Sequence, residues 1–331
     1  MLLSDYDYEL SEERIAKYPP KVRGSSRLLG LNRQTGALTD SKYRDLADFM
    51  AEGDVLVLND TKVMPSRLFL MGESGREHEV VLLEKHGGDA QDSILYHGKL
   101  RAGDVLALKK QPEIKIEIIE ILGDGVARVD RDLAEIAISY GEVPLPPYLR
   151  REAEASDTLR YQTEFAKQLG SAAAPTASLN LTEEILERVR AKGVKIVKLT
   201  LHVGLGTFLP IRTDDLTNHK MHSEYYEIPE ETARVLEEAK RVVALGTTVV
   251  RALESYANSK ELNGETDIFI YPSYQFKLVG AMLTNFHAPK STVLMMAAAF
   301  AGWDNLKQAY EHATRQKYDF LSYGDSMIIY G

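Results

Sequence analysis

Residues 230–257 read EETARVLEEAKRVVALGTTVVRALESYA, and this stretch decides the fold class. The spacing of its apolar residues predicts an amphipathic helix over 230–241, a short strand at Val242–Leu245 and a second helix near 249–257. A helix, a strand and a helix in direct succession are typical of a sheet that is covered by helices.

The same alternation continues on both sides of this stretch. Upstream, a helix with Thr182 as N-cap and Gly193 just beyond its end precedes a strand over 194–201. Downstream, we expect three more elements: a strand over 266–271, an apolar helix over 291–302 and a surface helix over 304–316. Strands that alternate with helices predict an α/β fold, with a mostly parallel sheet flanked by helices.

Residues 53–138 follow a different pattern. Short extended runs are separated by turns rich in glycine and aspartate, and they begin at Gly53, His78, Gly103, Glu113 and Gly125. This pattern predicts a small antiparallel β-barrel inserted into the α/β domain. The proline-rich run Val143–Tyr148 marks the junction. We therefore expect an α/β catalytic domain formed by residues 1–58 and 148–331, and an inserted barrel domain over 59–147.

Composition and charge limit the classes of protein that fit. The chain has 331 residues, a net charge of −9 and no cysteine, which excludes disulfides, iron–sulfur clusters and thiolate zinc sites. The acidic N-terminal residues do not resemble a secretory signal, and the longest apolar run, over 292–303, is too short to cross a bilayer. We expect a cytoplasmic protein without a membrane partner. Basic residues are spread along the chain, so nucleic acid is expected to contact only a local patch.

The turn Leu245–Arg251, LGTTVVR, is a candidate anion site. Thr247 and Thr248 open the helix that follows a strand, and the free N–H groups of a helix start attract a negative charge. Arg251 lies one helical turn beyond Thr247 and is suited to binding a carboxylate or phosphate in bidentate fashion. The alternative is structural, with a threonine as N-cap and Arg251 paired to Glu254.

Residues 219–226, HKMHSEYY, combine two histidines, a carboxylate and two tyrosines. Their spacing matches no zinc motif, so we expect no metal. His222 and Glu224 are candidates for acid–base catalysis because an imidazole titrates near neutral pH, and the Tyr225 ring is suited to contact a ligand cation. The alternative is a strand edge whose side chains point to alternate sides.

His202 ends the strand predicted at 194–201 and begins the run HVGLGTF. The carboxyl end of a parallel strand is where α/β sheets bind ligands, and the glycines allow a ligand to approach the backbone closely. A nicotinamide site is the less favoured interpretation, since the third glycine of that fingerprint is missing. A structural histidine is the alternative to a catalytic one.

Two loops and the domain junction carry further candidates. Asn285 and His287 lie in the loop that enters the apolar helix, and Asp325 precedes the last strand. Basic and aromatic side chains after the proline-rich run are suited to contact phosphates and a stacked base: Arg150, Arg151, Arg160 and Tyr161. A solvated junction is the commoner explanation for residues of this kind.

Together these segments resemble the S-adenosylmethionine:tRNA ribosyltransferase-isomerase family of queuosine biosynthesis. The resemblance covers nearly the whole chain, in the family's order and spacing. The matching runs are Arg27–Leu29, Asn59–Leu68, Leu145–Tyr148, Arg160–Thr163, Ala174–Ala177, Thr200–Phe208, Met221–Tyr226, Gly246–Arg251, Asn285–His287 and Tyr323–Asp325.

The resemblance implies a reaction and its partners. The ribosyl part of S-adenosylmethionine is moved onto 7-aminomethyl-7-deazaguanine in the anticodon loop of tRNA and rearranged to epoxyqueuosine, and adenine and methionine leave. The family also implies an α/β domain with an inserted β-barrel, and no metal or cofactor beyond S-adenosylmethionine as co-substrate. A base splayed out of a single-stranded loop needs no large basic surface. We expect a monomer.

Roles for single residues follow from the same resemblance. The sulfonium acidifies the adjacent 5′ carbon, and His202 or His222, with Glu224 beside it, is the candidate base. Asp325 and His287 are candidates for protonating or hydrogen-bonding the departing adenine. The remaining candidates are assigned to substrate binding, the methionine carboxylate being expected at the helix start: Asn59, Arg67, Tyr225, Thr247, Thr248, Arg251 and Asn285.

The sequence departs from the family pattern at five positions: Gly24, Ser178, Asn180, Leu181 and Leu209. Asn180 replaces a histidine and cannot act as a base at neutral pH, and Leu209 replaces an arginine and cannot pair with an anion. Two alternatives therefore stay open. One is a drifted or non-catalytic paralogue that binds tRNA or a nucleoside. The other is a small-molecule transferase that uses S-adenosylmethionine without RNA.

Overall fold

The computed structural model describes residues 1–83, 92–123, 125–204, 211 and 213–331. Its strands, in chain order, are β1 (Arg27–Asn32), β2 (Leu38–Lys42), β3 (Asp54–Asn59), β4 (Thr61–Val63), β5 (Arg67–Met71), β6 (Glu77–Leu82), β7 (Ser93–Tyr96), β8 (Val105–Leu108), β9 (Gln111–Gly123), β10 (Val126–Val129), β11 (Gln168–Ser171), β12 (Lys195–Leu201), β13 (Glu224–Glu227), β14 (Arg241–Leu245), β15 (Asn263–Thr266), β16 (Val279–Asn285) and β17 (Ser326–Tyr330).

Within the described residues, seven α-helices accompany the strands. They are α1 (Ala134–Tyr140), α2 (Asp157–Arg160), α3 (Glu183–Ala191), α4 (Glu230–Glu237), α5 (Thr247–Ser259), α6 (Thr292–Ala301) and α7 (Trp303–Arg315). Thr182 caps α3 as expected, since its Oγ1 accepts a hydrogen bond from the Ile185 N–H at 3.4 Å.

A nine-stranded sheet forms the body of the protein, in the order β15-β13-β12-β3-β14-β16-β17-β1-β2. Strands β12, β3, β14 and β16 run parallel to one another, as do β17 and β1. The other neighbouring pairs are antiparallel, so the sheet is mixed rather than mostly parallel. The predicted α/β class is confirmed.

Hydrophobic side chains pack on both faces of this sheet. Along β3, Val55 and Val57 belong to one core cluster, and Leu56 and Leu58 belong to the other. Successive side chains of a strand point to opposite faces, so a strand that is buried throughout must be covered on both sides. Helix α3 contributes to the second cluster, and the apolar helix α6 contributes to the first.

The inserted β-barrel is also confirmed. Six antiparallel strands close in the order β10-β7-β6-β5-β8-β9, around a core of their own that includes Leu70, Val80 and Ile116. Helix α1 follows the barrel and adds Ala137 to that core. All six strands lie within residues 59–147, although the exact domain limits remain a prediction. Strand β3, which begins next to Gly53, belongs to the large sheet instead of the barrel.

The prediction of a strand over residues 266–271 is wrong. Strand β15 ends at Thr266, opposite Glu224, the first residue of β13. Beyond this point the N–H of Ile268 bonds to Thr266 Oγ1 at 3.3 Å instead of joining a ladder. An extended run forms a strand only where a partner edge continues beside it. Helix α4 likewise ends at Glu237, four residues before the predicted end.

Candidate active site

A cavity of about 480 Å³ lies at the carboxyl edge of the parallel strands. The turn after β14 and the loop after β16 form much of its wall, together with residues 173–177 and the loop that precedes β17. Crevices at this edge are the usual ligand sites of α/β sheets, and this volume suits a small molecule of nucleoside size. Of the predicted residues, the described part of the wall contains Thr247, Thr248, Asn285 and His287.

Helix α5 begins at the cavity wall. Gly246 precedes it with φ of 100° and ψ of 152°, a conformation that is open essentially to glycine alone. The hydroxyl of Thr248 accepts a hydrogen bond from Asn59 Nδ2 at 3.3 Å, and the same amide group donates to the carbonyl of Leu201 at 2.9 Å. Asn59 thus links β12 to the start of α5, whose N–H groups face a position suited to an anion.

The end of β16 brings two more predicted residues into the wall. Asn285 accepts a hydrogen bond from Thr176 Oγ1 at 2.9 Å. The His287 ring places Nε2 2.7 Å from Thr284 Oγ1. Burial lowers the pKa of His287 from 6.5 to about 3, so the imidazole is neutral at neutral pH. In that state His287 can exchange hydrogen bonds with a ligand, but it has no imidazolium proton to give to a leaving group.

Asp325, a predicted candidate for contacting the departing adenine, makes internal contacts with the backbone. Its carboxylate accepts hydrogen bonds from the N–H groups of Arg27 at 2.7 Å and Asp319 at 2.9 Å, and the residue is 7% exposed. Burial raises its pKa, against the effect of these two amides. Asp325 joins the loop before β17 to the start of β1 and lies outside the described wall of the cavity.

His202 lies directly after β12, next to the wall residue Val203. Its Nδ1 is 2.8 Å from Thr61 Oγ1, and its ring packs against Gly170. Burial lowers the pKa of His202, and the nearby Asp60 opposes this shift only in part. His202 is therefore neutral at neutral pH and able to accept a proton.

Arg251 forms a buried ion pair instead of facing a ligand. Its guanidinium binds the Glu224 carboxylate and donates to the carbonyls of His222 at 3.3 Å and Thr266 at 3.0 Å. Arg251 is 4% exposed and Glu224 is completely buried. The expected contact between Arg251 and a ligand anion is corrected accordingly.

The alternative pairing of Arg251 with Glu254 is also wrong. The Glu254 carboxylate accepts hydrogen bonds from three consecutive N–H groups, those of residues 277–279, at 2.9–3.0 Å. It also accepts one from the Tyr274 hydroxyl at 3.1 Å. Glu254 thus binds the start of β16 to helix α5.

The predicted cluster at 222–225 lies around the same buried carboxylate. Glu224 Oε1 accepts a hydrogen bond from the Gly204 N–H at 2.9 Å and lies 3.3 Å from His222 Nε2. Burial alone would raise the pKa of Glu224, but Arg251, His222 and the Gly204 amide together lower it. The carbonyl of Tyr225 accepts a hydrogen bond from the His202 N–H at 3.0 Å. The cluster therefore supports the His202–Gly204 backbone beside the cavity.

The predicted nucleic-acid residues after the junction make internal contacts. Arg151 binds Asp157 through two hydrogen bonds of 2.7 Å, and Arg160 donates to the carbonyl of Pro20 at 2.5 Å. Tyr161 is completely buried, so the expectation that its ring stacks on a base is wrong.

Two predicted basic residues are also paired with carboxylates. The exposed Arg150 pairs with Glu12. In the barrel, Arg67 pairs with Glu79 at 3.1 Å and lies outside the described wall of the cavity.

Comparison with known proteins identifies the family. The family model described as "Queuosine biosynthesis protein" matches residues 3–329. A protein of Pelodictyon phaeoclathratiforme named S-adenosylmethionine:tRNA ribosyltransferase-isomerase is 52% identical, over 99% of this chain and 100% of the relative. A protein of Rubrobacter xylanophilus with the same name is 45% identical, over 100% of this chain and 98% of the relative. The chain belongs to the queuosine biosynthesis protein family.

A solved structure agrees with this family. The crystal structure of S-adenosylmethionine tRNA ribosyltransferase from Thermotoga maritima superposes on this chain with a TM-score of 0.57. The two sequences are 32% identical, and the match covers 98% of this chain and 99% of the Thermotoga chain. The resemblance inferred from the ordered motifs is therefore confirmed at the level of the family and the fold.

Four of the five departures from the family's motifs lie in the described residues, and none of these four belongs to the described wall of the cavity. Gly24, Ser178, Asn180 and Leu181 are buried, and Asn180 is 3% exposed. Asn180, where the resemblance implies a histidine, is thus not part of that wall. Leu209 lies outside the described residues.

Several residues of the described wall were not selected as site residues from the sequence. Lys290 lies in the loop after β16 and pairs with Asp7 at 2.6 Å. Thr176 and Thr284 supply the hydroxyls that bind Asn285 and His287. Position could have found Lys290 and Thr284, because each lies within three residues of a selected one, whereas Thr176 reaches Asn285 only through the fold. Within the described ranges, His, Asp and Glu side chains form no group of three or more suited to a metal ion, and no helix is long and apolar enough to cross a membrane.

Proposed function

We propose that this protein transfers the ribosyl part of S-adenosylmethionine to 7-aminomethyl-7-deazaguanine in tRNA and isomerises it, giving epoxyqueuosine, adenine and methionine. The observation that carries the proposal is the full-length similarity to relatives with this name, at 45–53% identity. The cavity at the carboxyl edge of the sheet supports it, because it combines an anion-binding helix start with uncharged hydrogen-bonding groups.

The two ends of S-adenosylmethionine have matching partners along this wall. The N–H groups at the start of α5, with the hydroxyls of Thr247 and Thr248, are suited to the methionine carboxylate. Lys290 lies in the same wall, where its ammonium pairs with Asp7 at 2.6 Å, and Arg251 pairs with Glu224, so the N–H groups carry this contact. Asn285 and the neutral His287 are suited to hydrogen-bonding the adenine. All of these residues belong to one continuous cavity.

His202 is the proposed base that removes the proton from the 5′ carbon next to the sulfonium. Its lowered pKa leaves a free lone pair at neutral pH, and the contact with Thr61 fixes one ring nitrogen, so the other is available. His222 is less suited to this role, since Glu224 lies 3.3 Å from its Nε2 and holds it beside a buried ion pair. Glu224 acts as support for the backbone at Gly204, whose N–H donates to its carboxylate.

The direct test is incubation of the protein with S-adenosylmethionine and tRNA that carries the aminomethyl-deazaguanine. We expect equal amounts of adenine and methionine, with the modified nucleoside found after digestion of the tRNA. His202→Gln should abolish both releases while S-adenosylmethionine still binds, whereas His222→Gln should keep measurable turnover. Binding of tRNA without release of adenine would instead support a non-catalytic paralogue. Release without tRNA would support a small-molecule transferase.

The proposed substrate also suggests the location and the form of the protein. A tRNA-modifying enzyme acts where tRNA is found, which places it in the cytoplasm. We propose that the protein is a monomer. Light scattering of the purified protein, with and without tRNA, tests the oligomeric state.

A further inference from the structure

The main chain of His287 is bound on both sides by tyrosine hydroxyls. The Tyr8 hydroxyl donates to the carbonyl of His287, and the N–H of His287 donates to the Tyr310 hydroxyl at 2.9 Å. Both backbone polar groups of this wall residue are therefore used, which fixes the orientation of its peptide planes. The imidazole, which extends from the same backbone, has its own contact to Thr284.

Neither tyrosine belongs to the described wall of the substrate cavity. Tyr8 belongs to the N-terminal segment and Tyr310 to helix α7, and their rings meet edge to face with centroids 5.1 Å apart. The Tyr310 ring also packs against Phe286, the residue before His287, at 5.3 Å. Both tyrosines line a second cavity of about 470 Å³, separate from the substrate cavity.

The same N-terminal segment binds the His287 loop at two further points. The N–H of Lys290 donates to the carbonyl of Tyr6 at 3.3 Å, and the Lys290 ammonium pairs with Asp7 at 2.6 Å. Three consecutive residues, 6–8, thus contact a loop that is nearly 280 positions away in sequence. Residues 6–8 therefore hold the loop at both His287 and Lys290.

We propose that Tyr8 and Tyr310 are positioning residues, which act through His287 to orient its imidazole towards S-adenosylmethionine. The inference rests on the proposed function, because it assigns His287 to the substrate site. Because Nε2 of His287 contacts Thr284, the ring has one nitrogen, Nδ1, for a ligand, and a hydrogen bond from that atom requires the ring to be correctly oriented. The two hydroxyls supply that orientation without touching the substrate.

The first experiment compares Tyr8→Phe and Tyr310→Phe with Tyr226→Phe. Tyr226 is a matched control because it is 2% exposed and its hydroxyl also donates to a main-chain carbonyl, that of Glu261, at 3.0 Å. We expect kcat/KM for S-adenosylmethionine to fall about three- to tenfold in each of the first two variants, the effect of one hydrogen bond. The control should stay within twofold. Equal values in all three variants would overturn the inference.

A second comparison separates positioning from general stability. In a His287→Gln background, Tyr8→Phe should cause no further loss of S-adenosylmethionine affinity, measured by calorimetry, because its effect passes through the imidazole. If Tyr8→Phe lowered the affinity for S-adenosylmethionine by the same factor in both backgrounds, Tyr8 would act through a residue other than His287. Melting temperatures of the Tyr8, Tyr310 and Tyr226 variants should be similar.

A third readout does not depend on turnover. The imidazole ¹⁵N signals of His287, assigned by their loss in His287→Gln, should shift in Tyr8→Phe and Tyr310→Phe and stay in place in Tyr226→Phe. If the wild-type protein binds S-adenosylmethionine but releases no adenine, the proposed reaction fails while these shifts and the affinities still test the positioning role. Unchanged signals in both tyrosine variants would overturn it.

Discussion

Glu224 is a buried carboxylate whose charge is balanced within the protein. Arg251, also buried, supplies the balancing charge, while the Gly204 amide and His222 complete the contacts of the carboxylate. A buried ion pair adds little over a hydrophobic pair of the same shape, but removing one partner leaves an unpaired charge in a medium of low polarity. This residue pair is therefore a sensitive point in the stability of the α/β domain.

We expect Arg251→Met to lower the free energy of unfolding by about 3–5 kcal/mol. The exposed pair of Arg234 with Glu230, four residues apart on one helix, is the matched control, and Arg234→Met should cost less than about 1 kcal/mol. Urea unfolding followed by circular dichroism gives both values. A loss below about 1 kcal/mol for Arg251→Met would show that Glu224 is neutral or solvated in the folded state.

His287 makes stability depend on pH in a defined direction. Its pKa falls from 6.5 to about 3 on folding, so the unfolded chain binds the proton more readily. Above pH 6.5 His287 is neutral in both states and does not lower the free energy of unfolding. Below pH 6.5 the unfolded chain takes up a proton that the folded protein does not, so the free energy of unfolding decreases as the pH falls towards 3. At pH 5 the expected loss from this residue is at most about 2 kcal/mol.

His287→Gln should therefore be less sensitive to acid than the wild type between pH 7 and pH 5. Unfolding curves at the two pH values, for the variant and the wild type, measure the difference. The exposed His97 is the control, and His97→Gln should keep the wild-type pH dependence. An identical pH dependence in all three proteins would contradict the lowered pKa of His287.

At the scale of elements, the start of α5 depends on the glycine before it. A Cβ at Gly246 would lie 3.7 Å from Thr248 Oγ1 and 3.8 Å from the Ala177 side chain, both in the cavity wall. The space is sufficient, but φ of 100° is unfavourable for any residue with a side chain. A substitution there changes the backbone that presents the N–H groups to the ligand.

We expect Gly246→Ala to cost about 1–3 kcal/mol of stability and to weaken S-adenosylmethionine binding about tenfold. Gly302 is a matched control because it also precedes a helix with positive φ, at 79°, and has open space where a Cβ would lie. Gly302→Ala should lose similar stability and keep the wild-type affinity in calorimetry. If Gly246→Ala and Gly302→Ala weakened S-adenosylmethionine binding equally, the loss of affinity would follow from reduced stability and not from the backbone at the start of α5.

At the scale of the whole molecule, the charge distribution limits how tRNA binds. The net charge is −9, and the basic residues after the domain junction are used in internal contacts. Under the proposed function, we expect the tRNA to be recognised mainly through a base held in the cavity, with few phosphate contacts. Affinity carried by few phosphates falls less steeply with salt than affinity carried by many.

We expect the logarithm of the tRNA association constant to fall with the logarithm of salt concentration at a slope of about −2 to −4. Filter binding between 50 and 200 mM salt measures the slope. Unmodified tRNA, which lacks the aminomethyl group, should bind more weakly with the same slope, since the phosphate contacts are unchanged. A slope steeper than about −6 would require an extended basic surface and contradict the few contacts expected here.

Local signals in the sequence were sufficient for the fold and for part of the cavity. Thr182 caps its helix, the barrel strands follow the turn residues, and Thr247, Thr248, Asn285 and His287 share one wall. These predictions succeeded because caps, turns and strand periodicity act over a few residues. The carboxyl ends of parallel strands then meet at one edge, whatever the rest of the chain does.

Only the tertiary structure determined which charges and backbone groups are paired. Arg251 has Glu254 close by in sequence but binds Glu224, 27 positions away, and Asp325 binds the backbone of Arg27, 298 positions away. Tyr8 reaches His287 across 279 positions. A buried polar group takes whichever partner the packed core places beside it, because leaving it unpaired is costly. That partner is set by how sheet and helices pack, which no local pattern in the sequence specifies.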